Sequence, residues 1–147
     1  MRRRISFFSY VILPLLLGGG IYLLFRSSQL LMFAWAAMLG LMEPLAQARA
    51  VVAPWQAMLP AWAIFSLPTA LYYLSAMNYC WLMLEQDRTM AWRWTLLVSG
   101  LAFGVELIQT ILPLAGTFSS EDLVTYAFVF PLSLPFRALL LSERIQA

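Results

Sequence analysis

Long unbroken apolar runs separated by short polar stretches are the first pattern along this chain. The runs fall at about 5–25, 62–84, 93–114 and 123–141, and each is close to the ~20 residues an α-helix needs to cross a bilayer. A fifth apolar segment, "LLMFAWAAMLGLM" at 30–42, is apolar on every side but only 13 residues long. At 1.5 Å per residue it covers about 20 Å, short of a ~30 Å hydrocarbon core, and Glu43 and Pro44 close it. The pattern predicts an all-α, polytopic membrane helix bundle in one domain over 1–147. Four transmembrane helices and one short re-entrant or interfacial helix at 30–42 are expected, with five spans as the alternative.

Charge decides between those arrangements. The nine basic residues are all Arg. If 30–42 does not cross, Arg2, Arg3, Arg4, Arg88, Arg93 and Arg144 share one side. Arg26 and Arg49 then lie opposite, beside the arginine-free loop "LAGTFSSED". If it crosses, that bias vanishes. The positive-inside rule therefore favours four spans with both termini cytoplasmic, and 30–42 on the outer side. The first run ends in "YLLFRSS" rather than in a small-residue cleavage site, which fits an uncleaved helix better than a signal peptide. Pro14 and the glycines at 18–20 mark a kink or a close helix contact within it.

Composition agrees and narrows the chemistry. Of 147 residues, 63% are hydrophobic and 11% charged, too few polar groups to cover a soluble domain of this size. There is no His and no Lys, and Cys80 is the single cysteine. A disulfide within the chain is excluded, and no metal site or cofactor is expected. "GGG" lacks the Lys and Ser/Thr of a nucleotide loop. The scattered arginines speak to membrane orientation, not to nucleic acid.

Polar residues inside the runs are the candidates for function. In the third run Thr95, Ser99, Ala102, Glu106, Gln109 and Pro113 follow helical spacing and form one stripe. Gly100 and Gly104 form a GxxxG pair on nearly the opposite side, where a second helix can approach. Both faces are expected to be packed, making this helix central. The second run carries Pro68, Tyr72, Ser75 and Tyr79 with Asn78 beside them, and the last carries Asp122, Tyr126, Ser133 and Arg137. A carboxylate facing lipid costs several kcal/mol, so Glu106 is expected to face inward, with Tyr72, Tyr79 or Asn78 as partners. With Glu121 and Asp122 starting the next run on the same side, an acidic cavity opening outward is predicted. Segment 30–42 and the stretch "VVAPWQAMLPAW" would roof it, and Arg49 would reach the acids. The plainer alternatives are a protonated, purely structural Glu106 and a capping role for Glu121 and Asp122, with Ser119 or Ser120 assisting.

The stretch "FGVELIQTILPLAGTFSSEDLVTYAFVF" resembles the VanZ-like membrane protein family, in which a transmembrane Glu-x-x-Gln precedes a short loop and an Asp at the start of the next helix. Glu106 and Gln109 match the first part and Asp122 the second. The resemblance covers the last third of the chain closely. Where the family usually has an Arg early in the loop this chain has Ala115 or Gly116. It has Tyr126 in place of the usual Asn, and Phe130 in place of a frequent Gly. The resemblance implies a bacterial inner-membrane protein linked to the cell envelope. One function expected for such a protein is binding a lipid-linked or glycopeptide-like molecule in the outward cavity, with Glu106, Gln109 and Asp122 as polar contacts. The alternative from the residues is a structural subunit that docks a membrane protein partner or a second copy on the Gly100/Gly104 face. An enzyme using Glu106 and Asp122 as an acid–base pair is disfavoured, because no nucleophile, metal or cofactor motif accompanies them.

Overall fold

The computed structural model describes residues 2–28, 31–111 and 119–135, and among these every regular element is helical. The elements are α1 (Arg2–Phe7), a π-helical turn (Phe8–Ile12), α2 (Leu13–Phe25), α3 (Leu31–Met38), α4 (Met42–Gln56), α5 (Ala61–Phe65), α6 (Leu67–Met83), α7 (Arg88–Gln109), α8 (Ser120–Val129) and a 3₁₀ turn (Phe130–Leu132). Two helices, Ile5–Phe25 and Arg88–Gln109, are long and apolar enough to cross a membrane by length and composition.

Three prolines shape the helices. Pro14 has no N–H, so the Tyr10 carbonyl four residues earlier loses its α-helical donor. The looser π turn falls at that place, and the Asn78 Nδ2 donates to the Tyr10 carbonyl at 3.0 Å. The Ser75 hydroxyl donates to the next carbonyl, Val11, at 2.9 Å. Pro68 has the same effect on the Ile64 carbonyl, and the helix expected over 62–84 breaks at Ser66 into α5 and α6. Pro44 lies in the first turn of α4, where a missing N–H is harmless, so Glu43 and Pro44 begin a helix rather than close one. The stretch expected to be a roofing loop is therefore helical up to Gln56.

α6 is the central element, packed against the first helix, α5, α7 and α8, a place the sequence pattern had pointed to α7 for. The first helix and α7 run antiparallel to it, and α8 runs parallel, with Tyr126 beside Tyr73 and Leu134 beside Asn78. Gly18 lies against Pro68 and Tyr72, Tyr10 against Asn78, and Phe7 against Tyr79. On the other side Tyr73 meets Ser99 and Trp81 meets Trp92. α8 runs antiparallel to α7, with Ser119 beside Glu106 and Tyr126 beside Phe103. The core is Tyr73, Met77 and Tyr126, lined by Val98, Ala102 and Phe103 of α7.

Between α2 and α5 the chain makes an excursion that returns to its starting end. α3 turns back through Gly40, whose φ of +69° is the left-handed conformation glycine adopts most readily. α4 then brings Arg49 to the Leu23 and Arg26 carbonyls and Gln56 to that of Phe25. The last residues of two expected spans, 112–114 and 136–141, with Pro113 and Arg137 among them, lie outside the described residues, as does most of the loop after α7.

Candidate functional site

The α7 stripe faces inward as its spacing predicts: Ala91, Thr95 and Glu106 are buried, with Ser99, Ala102 and Gln109 half-buried. Its hydroxyls are satisfied mostly within the helix. The Thr95 hydroxyl donates to the Ala91 carbonyl at 2.9 Å and the Ser99 hydroxyl to the Thr95 carbonyl at 2.8 Å. Ser99 also accepts from the Tyr73 phenol at 2.8 Å, tying α6 to α7.

Glu106 reaches out of the stripe toward α8. It is 5% exposed, and its Oε2 accepts from the Ser119 backbone N–H at 3.3 Å. Ser119 is the N-cap of α8, and its own hydroxyl accepts from the Asp122 N–H at 3.3 Å. The start of α8 thus receives two acceptors, one from its cap residue and one from α7. A negative group is favoured there because the unpaired N–H groups and the helix dipole both point at it. Glu121 and Asp122 fill the first turn of the same helix. The Asp122 carboxyl lies near Glu106, and its Oδ1 is buried without a hydrogen-bond partner. One turn on, Tyr126 is close enough to feel both acids, and its ring packs on Tyr73 at 5.1 Å and Phe103 at 5.6 Å.

The other residues singled out from the sequence lie elsewhere. Tyr72 faces α2, with its ring against Gly18. Tyr79 is 48% exposed and touches Phe7. Asn78 is fully buried, but it bridges the Tyr10 carbonyl and the Leu134 N–H, the latter at 2.9 Å. None of the three is the partner expected for Glu106. Tyr73, which supplies the inward phenol, sits one position off the stripe that spacing had suggested. Arg49 does not meet the acids: its guanidinium donates to the Leu23 carbonyl at 2.7 Å and the Arg26 carbonyl at 2.8 Å, and stacks on Phe33. It closes the C-terminus of α2, where a cation is favoured. A Cβ added at Gly100 or Gly104 would meet no atom within 4 Å, so there is open space in front of that face rather than a packed helix.

Among the described residues, two clefts at the end of the bundle where α8 begins are lined by neither Glu106, Gln109 nor Asp122. One, of about 390 Å³, lies between Trp62 and the first turns of α8, including Glu121. The other, of about 430 Å³, lies between α2, α3 and α4 and includes Arg49. Among the described residues Glu106 and Asp122, the cleft at Glu121 and the cleft at Arg49 are three separate places. Among the described residues no three His, Cys, Asp or Glu side chains converge as a metal site. No family model, no curated protein and no solved structure matches the chain.

Proposed function

We propose that this chain is a VanZ-like, four-span protein of the bacterial inner membrane, with both termini cytoplasmic, that binds an amphiphilic envelope molecule at its outward end. The observation that carries the membrane reading is an inverted distribution of polarity. Leu101 on the outside of α7 is 60% exposed, while Thr95 and Ser133 are 0% exposed and Asn78 and Glu106 nearly so. Leu16 and Leu17 of α2, Leu97 and Ile108 of α7 and Phe128 of α8 are likewise exposed. In water such a surface is unfavourable, and in lipid it is the required one. The two long apolar helices supply two crossings, and the kinked α5–α6 pair and α8 with its continuation supply the others. The return of Gln56 to the Phe25 carbonyl supports an excursion through α3 and α4 that stays on one side.

The binding reading is supported by the two clefts at the end that this topology turns outward, one acidic and one cationic. Glu106 stands behind them as a positioning residue that fixes the start of α8. A deletion strain challenged with glycopeptide antibiotics and detergents tests the role. Altered sensitivity that is restored by the wild-type chain supports it, and wild-type sensitivity under every challenge contradicts it.

A second reading, a structural subunit of a membrane complex, is favoured by the open Gly100/Gly104 face. In that case Gly104→Leu releases a co-purifying partner or dissociates an oligomer. Glu106→Gln leaves the complex intact.

A further inference from the structure

The cleft beside Arg49 follows from the sequence of α4. Ala46, Ala50 and Ala53 recur at helical spacing and give that helix a wall of methyl groups along the cleft. Arg49 projects from the same helix and grips the last carbonyls of α2 at 2.7 and 2.8 Å. A long strut beside three short side chains holds α4 to α2 while leaving space between them. Leu24 and Phe33 close the other sides. The resulting volume, about 430 Å³, lies within the ~300–1,000 Å³ of ordinary small-molecule sites.

Among the residues that line this cleft, Arg49 is the one that carries a charge. A guanidinium carries five N–H donors, and Arg49 uses two on α2, leaving three. The C-terminal dipole of α2 offsets about half a charge at most. Arg26, whose carbonyl Arg49 holds, stacks its own guanidinium on Tyr22 and Phe65 at 5.0 and 4.9 Å. Neither arginine has a carboxylate partner among the described residues, and Glu43, the one acid of α4, lies nearly two turns before Arg49. An apolar slot with a cation at its rim is complementary to a hydrocarbon chain that ends in an anion.

We propose that this groove seats one hydrocarbon chain of an anionic phospholipid, with its phosphate on Arg49. The inference rests on the membrane reading given above and names the ligand class of its cationic cleft. Trp35 and Trp55, exposed on the helices that form the groove, fit a mouth at headgroup depth.

The test places a cysteine at Ala50 in a Cys80→Ser background and follows its modification by a maleimide in the full chain purified in neutral detergent. Phosphatidylglycerol at ten times its half-saturating concentration should slow labelling about tenfold, as expected for simple occupancy. Phosphatidylcholine and inorganic phosphate should leave the rate unchanged. Arg49→Gln should abolish the difference between the two lipids. Because Arg49 also holds α2, Ala53→Trp serves as a second variant that fills the groove without removing the guanidinium, and it should abolish protection as well. Equal rates with both lipids, or protection by inorganic phosphate alone, overturns the proposal. Alkaline carbonate extraction of the starting membranes reads the underlying assignment separately. A chain that is retained but unprotected overturns the groove alone, and a released chain overturns the membrane reading.

Discussion

Asn78 donates to the Tyr10 carbonyl at 3.0 Å across 68 positions of sequence, supplying the bond that Pro14 denies it within its own helix. The same amide accepts from the Leu134 N–H, so one buried side chain joins the first helix to the segment after α8. Asn78→Leu is expected to cost about 1–3 kcal/mol for each backbone group left unpaired. Hydrogen exchange checks this locally: the Leu134 amide should lose protection while amides in the middle of α7 keep theirs. Unchanged protection at Leu134 would remove Asn78 from this role.

The contact between α2 and α6 turns on one glycine of three. A Cβ at Gly18 would sit 3.0 Å from the Pro68 carbonyl oxygen and 3.1 Å from the Tyr72 ring, whereas one at Gly20 would meet nothing within 4 Å. Gly18→Ala should therefore destabilise by about 1–3 kcal/mol through overpacking. Gly20→Ala should be neutral or gain up to about 1 kcal/mol from helix propensity. Thermal unfolding of both variants in detergent compares them, and equal shifts would contradict the packing described.

Glu106 holds the start of α8 by accepting from the Ser119 N–H. Glu106→Ala leaves that donor without its acceptor. The expected loss is about 1–3 kcal/mol. Glu106→Gln keeps an acceptor for Ser119 and adds a donor for Asp122, so it should cost distinctly less. Circular dichroism melts of the two variants decide, and an equal loss would mean that the charge rather than the hydrogen bond matters.

The helices and the burial of Glu106 could be read from the sequence because apolar length and helical spacing are properties of single segments. Thr95, Ser99 and Glu106 stand out as a stripe only against an apolar background, and such a stripe must find a polar interior. The partners were not legible. Glu106 is met by a backbone N–H of Ser119, which no side-chain pattern announces. On α6 the polar spacing through Tyr72 and Tyr79 pointed to one inward face. A helix enclosed by several others buries more than one face, and Tyr73 and Met77 fill the core instead. α4 escaped notice because its prolines read as breakers, although Pro44 sits where helices tolerate it. The break at Ser66 was legible in principle from Pro68, and so was the strain at Pro14, but neither spacing says which side chain repairs it.

The topology is tested most directly by single cysteines at Gln56 and Glu85 in a Cys80→Ser background, in intact cells treated with a membrane-impermeant maleimide. Gln56 adjoins the Phe25 carbonyl at the end of α2, and Glu85 lies in the turn between α6 and α7, at the opposite end of the bundle. The account predicts labelling of Gln56→Cys from outside, and of Glu85→Cys only after permeabilisation. Labelling of Glu85→Cys from outside with Gln56→Cys protected would contradict it, because either segment 30–42 would then have crossed the membrane or the whole bundle would be inverted.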